Sequence, residues 1–520
     1  MSRFDCMFDG SLPEAADLSA LSDAALVDAA GGWARAENAA GARKLAVMAE
    51  IFTRRTASDT GERELWWIDP DAAVAAELAA ALSVSQGMAL HQTHRGVALR
   101  DRLPAVAALF EAGLISDLLV RTIVWRTYLI TDETAMAAVD ADLAGRVTRW
   151  GALSVAKTEA AIDALVDEHD PGALRRSQTA ACQETVQFGS PSDVAGTTSI
   201  YLRLNSPDAA LMEQNVDEVA RRACDADPRS TDVRRAHAIA AKVNGTAFEC
   251  GCAEPDCTGG TAGDAPAKNT VVYVVADQES VDAATTPPAA SESAPAEAEP
   301  SKPTAPDPEP APCSVPPAFV FGAGILPTAL LAGILSRARI REVRHPGVDT
   351  PAEPRYAASR ATADFVRCRD LTCRFPGCDK PAQFCDIDHT VAYPVGPTHP
   401  SNLKCLCRFH HLLKTFWNGA KGWRDRQLPD GTVQWTSPTG HTYTTYPGSK
   451  HLFPQLCQPT ATLWAGEPPV AETTDERGAM MPKRRHTRAH NKAKAITAER
   501  KLNDTYAADQ IAERNKPPPF

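Results

Sequence analysis

The run from Cys373 to Lys414, CRFPGCDKPAQFCDIDHTVAYPVGPTHPSNLKCLCRFHHLLK, constrains this chain more than any other feature. Cys373 and Cys378 are separated by four residues, and Pro376-Gly377 turns the chain between them. Cys407 and His410 are separated by two residues. Two short-spaced pairs of soft ligands, brought together by folding, satisfy a tetrahedral Zn²⁺. The expectation is a closed, structural zinc at Cys373, Cys378, Cys407 and His410, against the plainer reading of free buried thiols. Cys385 competes as a ligand, while Cys368 and Cys405 are expected to be buried. A metal would explain how so small and aromatic-poor a segment holds its shape.

Other polar residues lie inside that frame. Phe384 to His389 reads as a strand with alternating faces, ending on Asp388 and His389. Arg408 to Phe416 reads as a short helix. A strand, a loop and a helix clamped by zinc would bring Asp388, His389, Asn402 and His411 together.

Asp388-His389, then Asn402-Leu403, then Cys407-x-x-His410-His411-x-x-Lys414 resembles the HNH nuclease motif. That resemblance implies a ββα unit holding one divalent metal against a scissile phosphate. It implies His389 as general base, Asn402 as the middle Asn and His411 as the last His. It also implies Asp388 and His411 as ligands of the catalytic metal, Mg²⁺ or another divalent ion. Many HNH loops carry Gly-Gly between His and Asn; here the loop is Tyr393 to His399, stiffened by proline. Upstream, the Ala-rich helical half, the Cys-x-Cys-x4-Cys knot and the Gly-Ile-Leu-Pro helix resemble an actinobacterial domain of unknown function that precedes HNH modules. The likeness extends to mycobacterial 13E12 repeat proteins, and it assigns no activity to the first half.

The chemistry is coherent on its own terms. A neutral imidazole can take a proton from water near pH 7. A divalent ion can neutralise charge that develops on a phosphate. Asn402 cannot titrate, so its amide is expected to fix the loop or orient His389. Lys404, Arg408 and Lys414 are the expected DNA contacts. Residues 355–450 hold 13 Lys+Arg against seven Asp+Glu, which suits a phosphate backbone. Residues 1–354 carry a balance of -20 and so make a poor DNA grip; a protein partner is the expectation there. The function expected is hydrolysis of DNA phosphodiester bonds by an HNH endonuclease. The competing reading is a zinc-stabilised DNA-binding protein with a degenerate centre.

The chain as a whole is expected to be α+β, a mainly helical N-terminal region joined to the small zinc-stabilised ββα module. Residues 20–343 form a mostly helical domain with a few strands, interrupted by a disordered linker at 283–312. Those 30 linker residues hold nine Pro and nine Ala, too little apolar surface to fold. Strands are expected at Thr197–Leu204 and Thr270–Ala276, and a helix near Leu211–Cys224. Ala318 to Leu335 is free of charge, yet its glycines and Pro327 read as a strand, a turn and a helix rather than a membrane span.

The nuclease module spans 356–447. It ends in three short strands at Gly422–Gln427, Thr432–Thr436 and Thr442–Tyr446. Trp423, Trp435 and Tyr443 are expected to pack it. His399 and His441 are expected on its surface. Residues 473–520 form a flexible basic tail, either a mobile nucleic-acid contact or a helix with a solvated face. Cys250, Cys252 and Cys257 are either free thiols or metal ligands lacking a fourth partner, for which Cys224 and His237 are candidates. The N-terminal 15 residues have no apolar signal core, so a cytoplasmic location is expected.

Overall fold

Serine and aspartate set the helix starts. Ser22, Asp69, Ser85, Ser116, Asp132 and Ser154 each accept a hydrogen bond from the backbone N–H three residues on. Each such cap contributes about 1 kcal/mol. Pro70 and Pro104 occupy first-turn positions, where the missing N–H costs nothing. The resulting helices are α1 (Asp23–Thr56), α2 (Pro70–Leu82), α3 (Gln86–Asp101), α4 (Pro104–Glu111), α5 (Asp117–Arg126), α6 (Glu133–Arg146) and α7 (Val155–His169). They close around a core that includes Leu45, Met48, Phe110, Ile123, Leu143 and Val166. The structure is a computed structural model. It describes residues 12–57, 61–151, 153–174, 185–190, 193–204, 206–252, 254, 256–261, 273–285, 316–335, 338–418, 422–469 and 480–516.

The chain divides into two compact units. The first joins residues 1–176 to 344–450 and 454–520; the second holds 177–343 and 451–453. The expected helical domain 20–343 therefore splits at 176, and its first half belongs with the 356–447 module. Physical contacts explain this. Trp417 Nε1 donates to Ile68 O at 3.0 Å, and the Trp66 and Trp417 rings meet edge to face at 6.0 Å. Glu77 of α2 accepts from Thr439 N at 3.1 Å.

The second unit contains β1 (Thr185–Phe188) paired antiparallel with β2 (Ile200–Arg203), and helices α8 (Ser206–Ala220) and α9 (Thr231–Asn244). The two-residue strands β3 (Phe248–Glu249) and β4 (Gly260–Thr261) pair with each other. The run expected as a strand from Thr270 yields only β5 (Val274–Val275); residues 270–272 lie outside the described residues. The helix α10 (Gln278–Thr285) takes up the first three residues of the linker expected at 283–312, and the rest of that linker lies outside the described residues. The charge-free stretch forms β6 (Ala318–Val320), β7 (Gly324–Leu326) and α11 (Thr328–Leu335), as its glycines and proline require. Among the described residues no single helix is long and apolar enough to cross a membrane.

Back in the first unit, α12 (Arg360–Asp370) precedes β8 (Cys385–His389), β9 (Leu403–Cys407) and α13 (Arg408–Phe416). A three-stranded meander follows: β10 (Arg424–Gln427), β11 (Val433–Thr436) and β12 (Thr442–Thr445). The helix α14 (Arg488–Arg514) closes the chain.

Of the two readings of the basic tail, the structure has the helix rather than the mobile segment, and one of its faces is packed rather than solvated. Ile496 joins the helical core, and Arg500 grips Asp170 at 2.8 Å. Asn503 donates to Leu174 O at 2.7 Å. Just upstream, Arg484 reaches Asp69 at 2.6 Å and Arg488 bonds the same carboxylate. The tail's basic residues are thus spent in part on the acidic helices, because opposite charges on one chain need no second molecule to meet.

Candidate functional site

Strand pairing sets out the site. β8 runs antiparallel to β9, with Asp388 opposite Lys404 and His389 opposite Leu403. Side chains two apart on a strand share a face, so Asp386 and Asp388 both look toward α13. That helix follows β9 without a break, and on a helix residues three apart are neighbours. His411 and Lys414 therefore meet the two carboxylates together. The unit is a β-strand, a loop, a second β-strand and a helix.

Two sets of ligating groups converge there. The first is Cys373, Cys378, Cys407 and His410, whose ligand atoms all lie within 4.8 Å of one another, so this group can hold a metal ion. His410 Nδ1 sits 3.2 Å from Cys407 Sγ and 3.5 Å from Cys373 Sγ. Cys407 N donates to Cys373 Sγ at 3.3 Å. Phe375 stacks flat on His410, with ring centroids 3.9 Å apart, and Trp423 and Trp435 pack edge-on against Phe375. Those tryptophans line the interior, as expected of packing residues. Cys385 lies beside the four but hydrogen-bonds the Pro381 carbonyl.

The second set centres on Asp388. Its Oδ1 faces His411 Nε2 at 3.5 Å. Its Oδ2 accepts from Lys404 Nζ and Lys414 Nζ, each at 2.7 Å. Burial pushes the Asp388 carboxyl up, but the Lys404 and Lys414 ammoniums outweigh it and hold it well below the usual range. Asp386 Oδ2 takes His411 Nδ1 at 2.7 Å. A proton on Nδ1 leaves Nε2 with its lone pair, aimed at Asp388. Such a carboxylate partner fixes both tautomer and ring orientation. The sequence reading missed Asp386; its signal was its position two residues before Asp388.

His389 sits on the opposite face, nearly buried. Its Nε2 meets Thr398 Oγ1 at 2.9 Å, and that hydroxyl donates to Arg355 O at 2.5 Å. The hydroxyl's single proton is thus spent, so it accepts from His389 Nε2–H and leaves Nδ1 as the basic nitrogen. Tyr356 stacks on the ring at 5.3 Å. Burial is the largest influence on this imidazole and shifts it toward the neutral form, although Asp388 pulls the other way. Thr398 and Tyr356 had no sequence signal, because only the loop path brings them to His389.

Asn402 is a positioning residue. Its Oδ1 accepts from Val391 N at 2.8 Å, while Nδ2 donates to Val391 O at 3.0 Å and Pro397 O at 2.9 Å. The loop turns so tightly here that a Cβ on Gly396 would lie 2.2 Å from Val391 O.

Three expectations are corrected. Lys404 is fully buried between Asp388 and Asp425, 2.7 and 2.6 Å away, so it cannot touch DNA. Lys414 spends its ammonium on Asp388, on His389 O at 2.6 Å and on Thr390 O at 3.3 Å. Of the three expected contacts, only Arg408 is well exposed, 3.4 Å from Asp386. His399 is buried rather than on the surface: Ser401 N donates to its Nδ1 at 3.1 Å, and its Nε2 meets Thr350 O.

Lys404→Met is expected to destabilise the first unit by about 3–5 kcal/mol, because two buried carboxylates lose a shared cation. Urea unfolding measures this, and an unchanged midpoint would refute the buried pairing.

The chain belongs to the family defined by a domain of unknown function, DUF222, whose model matches residues 33–370. That match stops short of the Cys373–Lys414 run. Over 99% of its length the chain is 48% identical to the uncharacterized protein Rv2100 of Mycobacterium tuberculosis, covering 93% of that relative. It is 46% identical to the uncharacterized protein Rv3776 of the same organism, covering 95% of it. The uncharacterized protein in est 3'region, also from M. tuberculosis, is 42% identical and is covered completely by 69% of this chain. No solved structure matches the chain.

Proposed function

We propose that this DUF222 protein is a metal-dependent DNA endonuclease of the HNH class, with its centre in Cys385–Phe416. One observation carries the reading. Asp388 Oδ1 and His411 Nε2 face each other at 3.5 Å with their other polar atoms already committed, and the neighbouring His389 imidazole is oriented by Thr398. These are the donors a divalent cation takes, an oxygen anion and a free imidazole nitrogen. Asp388 and His411 would hold that cation, which would neutralise charge on a bound phosphodiester. Likewise the soft Cys373, Cys378, Cys407 and His410 set fits Zn²⁺, which would brace the unit.

The chain's own residues do the rest. His389 Nδ1 takes a proton from the attacking water, and Thr398 and Tyr356 keep the ring in place. Asp386 keeps the His411 lone pair available. Asn402 fixes the loop that carries Thr398. Asp386→Asn is expected to weaken divalent-ion affinity about 10- to 100-fold. Calorimetric titration with Mn²⁺ checks this, and unchanged affinity would remove the orienting role.

Arg408 is the exposed cation at the rim. Arg408→Ala is expected to weaken DNA binding about equally for all sequences and to lower the salt slope by roughly 1. Binding titrations at several salt concentrations read it out.

The test of the whole reading is supercoiled plasmid incubated with the full chain and Mg²⁺, Mn²⁺ or Ni²⁺, beside EDTA. Metal-dependent nicking or cutting supports the endonuclease. A second reading, a DNA-binding protein with a degenerate centre, is favoured by the two lysines on Asp388 Oδ2. They compensate the anion that a cation needs. Gel-shift binding without cutting under any metal selects that reading.

A further inference from the structure

We propose that Cys224, Cys250, Cys252 and Cys257 form a second structural zinc site, of the all-thiolate class, in the second unit. The sequence left the fourth ligand open between Cys224 and His237. In the fold, the four sulfurs lie within 4.8 Å of one another. His237 is not one of that group, and its Nδ1 lies 2.8 Å from Arg229 Nη1. A tetrahedral ion with Zn–S bonds of about 2.3 Å sets its sulfurs roughly 3.8 Å apart. Cys224 and Cys250 already stand at 3.5 Å, with both thiols free of disulfide.

The surroundings are built for thiolates. Cys224 N donates to Cys250 Sγ at 3.4 Å, and Gly259 N donates to Cys257 Sγ at 3.2 Å. Backbone N–H groups aimed at sulfur orient metal-bound thiolates and offset their charge. The two chain segments that carry the ligands are also fastened to each other. Asp227 Oδ2 accepts from Gly251 N at 2.9 Å, Arg229 donates to Glu249 O at 2.8 Å, and Gly260 N donates to Arg222 O at 2.9 Å.

Local packing also calls for such a staple. Among the described residues, the buried part of the apolar cluster here is Val216, Val219, Ala220, Ala238, Ala241 and Phe248. The β3–β4 ladder is two residues long on each side. A short ladder beside a small buried cluster is a setting that a bound metal can brace. Four sulfur donors select a soft ion and exclude Mg²⁺ and Ca²⁺. With all four positions taken by protein, the site is closed and has no place for a substrate.

The experiment is metal analysis of the purified full chain by plasma mass spectrometry. The wild type is expected to carry two zinc ions per chain. Cys252→Ser is expected to retain one, and Cys378→Ser one. The double variant is expected to retain none. One zinc in the wild type, kept by Cys252→Ser, overturns the second site; iron in place of zinc overturns its identity.

Should Cys252→Ser fail to fold, the wild type decides alone. Iodoacetamide mapping of the native protein is expected to spare Cys224, Cys250, Cys252 and Cys257 until zinc is chelated. Their full alkylation without chelation, or a disulfide among them, overturns the proposal. Each site is scored on its own peptides, so the outcome is independent of the zinc at Cys373.

Discussion

Replacing His389 with alanine is expected to lower plasmid cleavage about 10²- to 10⁴-fold, the contribution of a positioned general base. Zinc content and the unfolding midpoint are expected to stay close to wild type. The ring touches Thr398 and Tyr356 but none of the four ligands at Cys373, Cys378, Cys407 and His410. The division of labour is what makes this variant informative. Cleavage measured beside metal content separates loss of chemistry from loss of fold. Cleavage that survives at wild-type rate would remove His389 from the mechanism. Zinc lost in step with activity would instead make His389 a structural residue.

The second large effect is expected at the ligand cage. Cys378→Ser, or prolonged chelation of the wild type, should unfold the Cys373–Phe416 segment and abolish cleavage with it. Structural zinc supplies about 10–16 kcal/mol of apparent binding energy in small domains, more than most domains have to spare. The cage joins the start of this segment to the junction of β9 and α13, and its His410 carries the stack of Phe375 under Trp423 and Trp435. Loss of the ion would free both ends of that stack. Tryptophan fluorescence should follow it, shifting to the red as zinc leaves. A chelated protein that keeps its spectrum and its activity would show that hydrogen bonds and aromatic packing suffice.

These expectations rest on geometry that the sequence carried unevenly. The four-residue and two-residue spacings of Cys373/Cys378 and Cys407/His410 lead directly to a group of ligand atoms within 4.8 Å. Short spacings limit where a chain can go, so such pairs are readable. The extents of α13 and of the three meander strands were readable for a similar reason, since turn residues and periodicity act locally. The β9 strand was implied only by the likeness to a ββα unit, not legible in its own residues. Its run Leu403-Lys404-Cys405-Leu406-Cys407 is buried at every position, and Lys404 hides among apolar neighbours because two carboxylates wait for it. A lysine in isolation reads as surface; only its partners reverse that.

The same reason governs the tail and the domain boundary. Arg484, Arg488 and Arg500 read as a grip for a polyanion, yet Asp69 and Asp170 take them. Likewise an acidic first half reads as a separate body, while Trp417 on Ile68 O and Thr439 on Glu77 join it to the module.

The sequence by itself determined a mostly helical first half, the likeness to HNH modules and the ligand pairs near Cys373. Tertiary structure alone decided which charges meet. It chose Cys224 over His237 beside the second knot, placed Asp386 behind His411 and buried Lys404. The physical reason is range. Caps, turns and ligand loops depend on neighbours a few residues away, whereas the partner of a charge or a thiol is fixed by packing across tens to hundreds of residues.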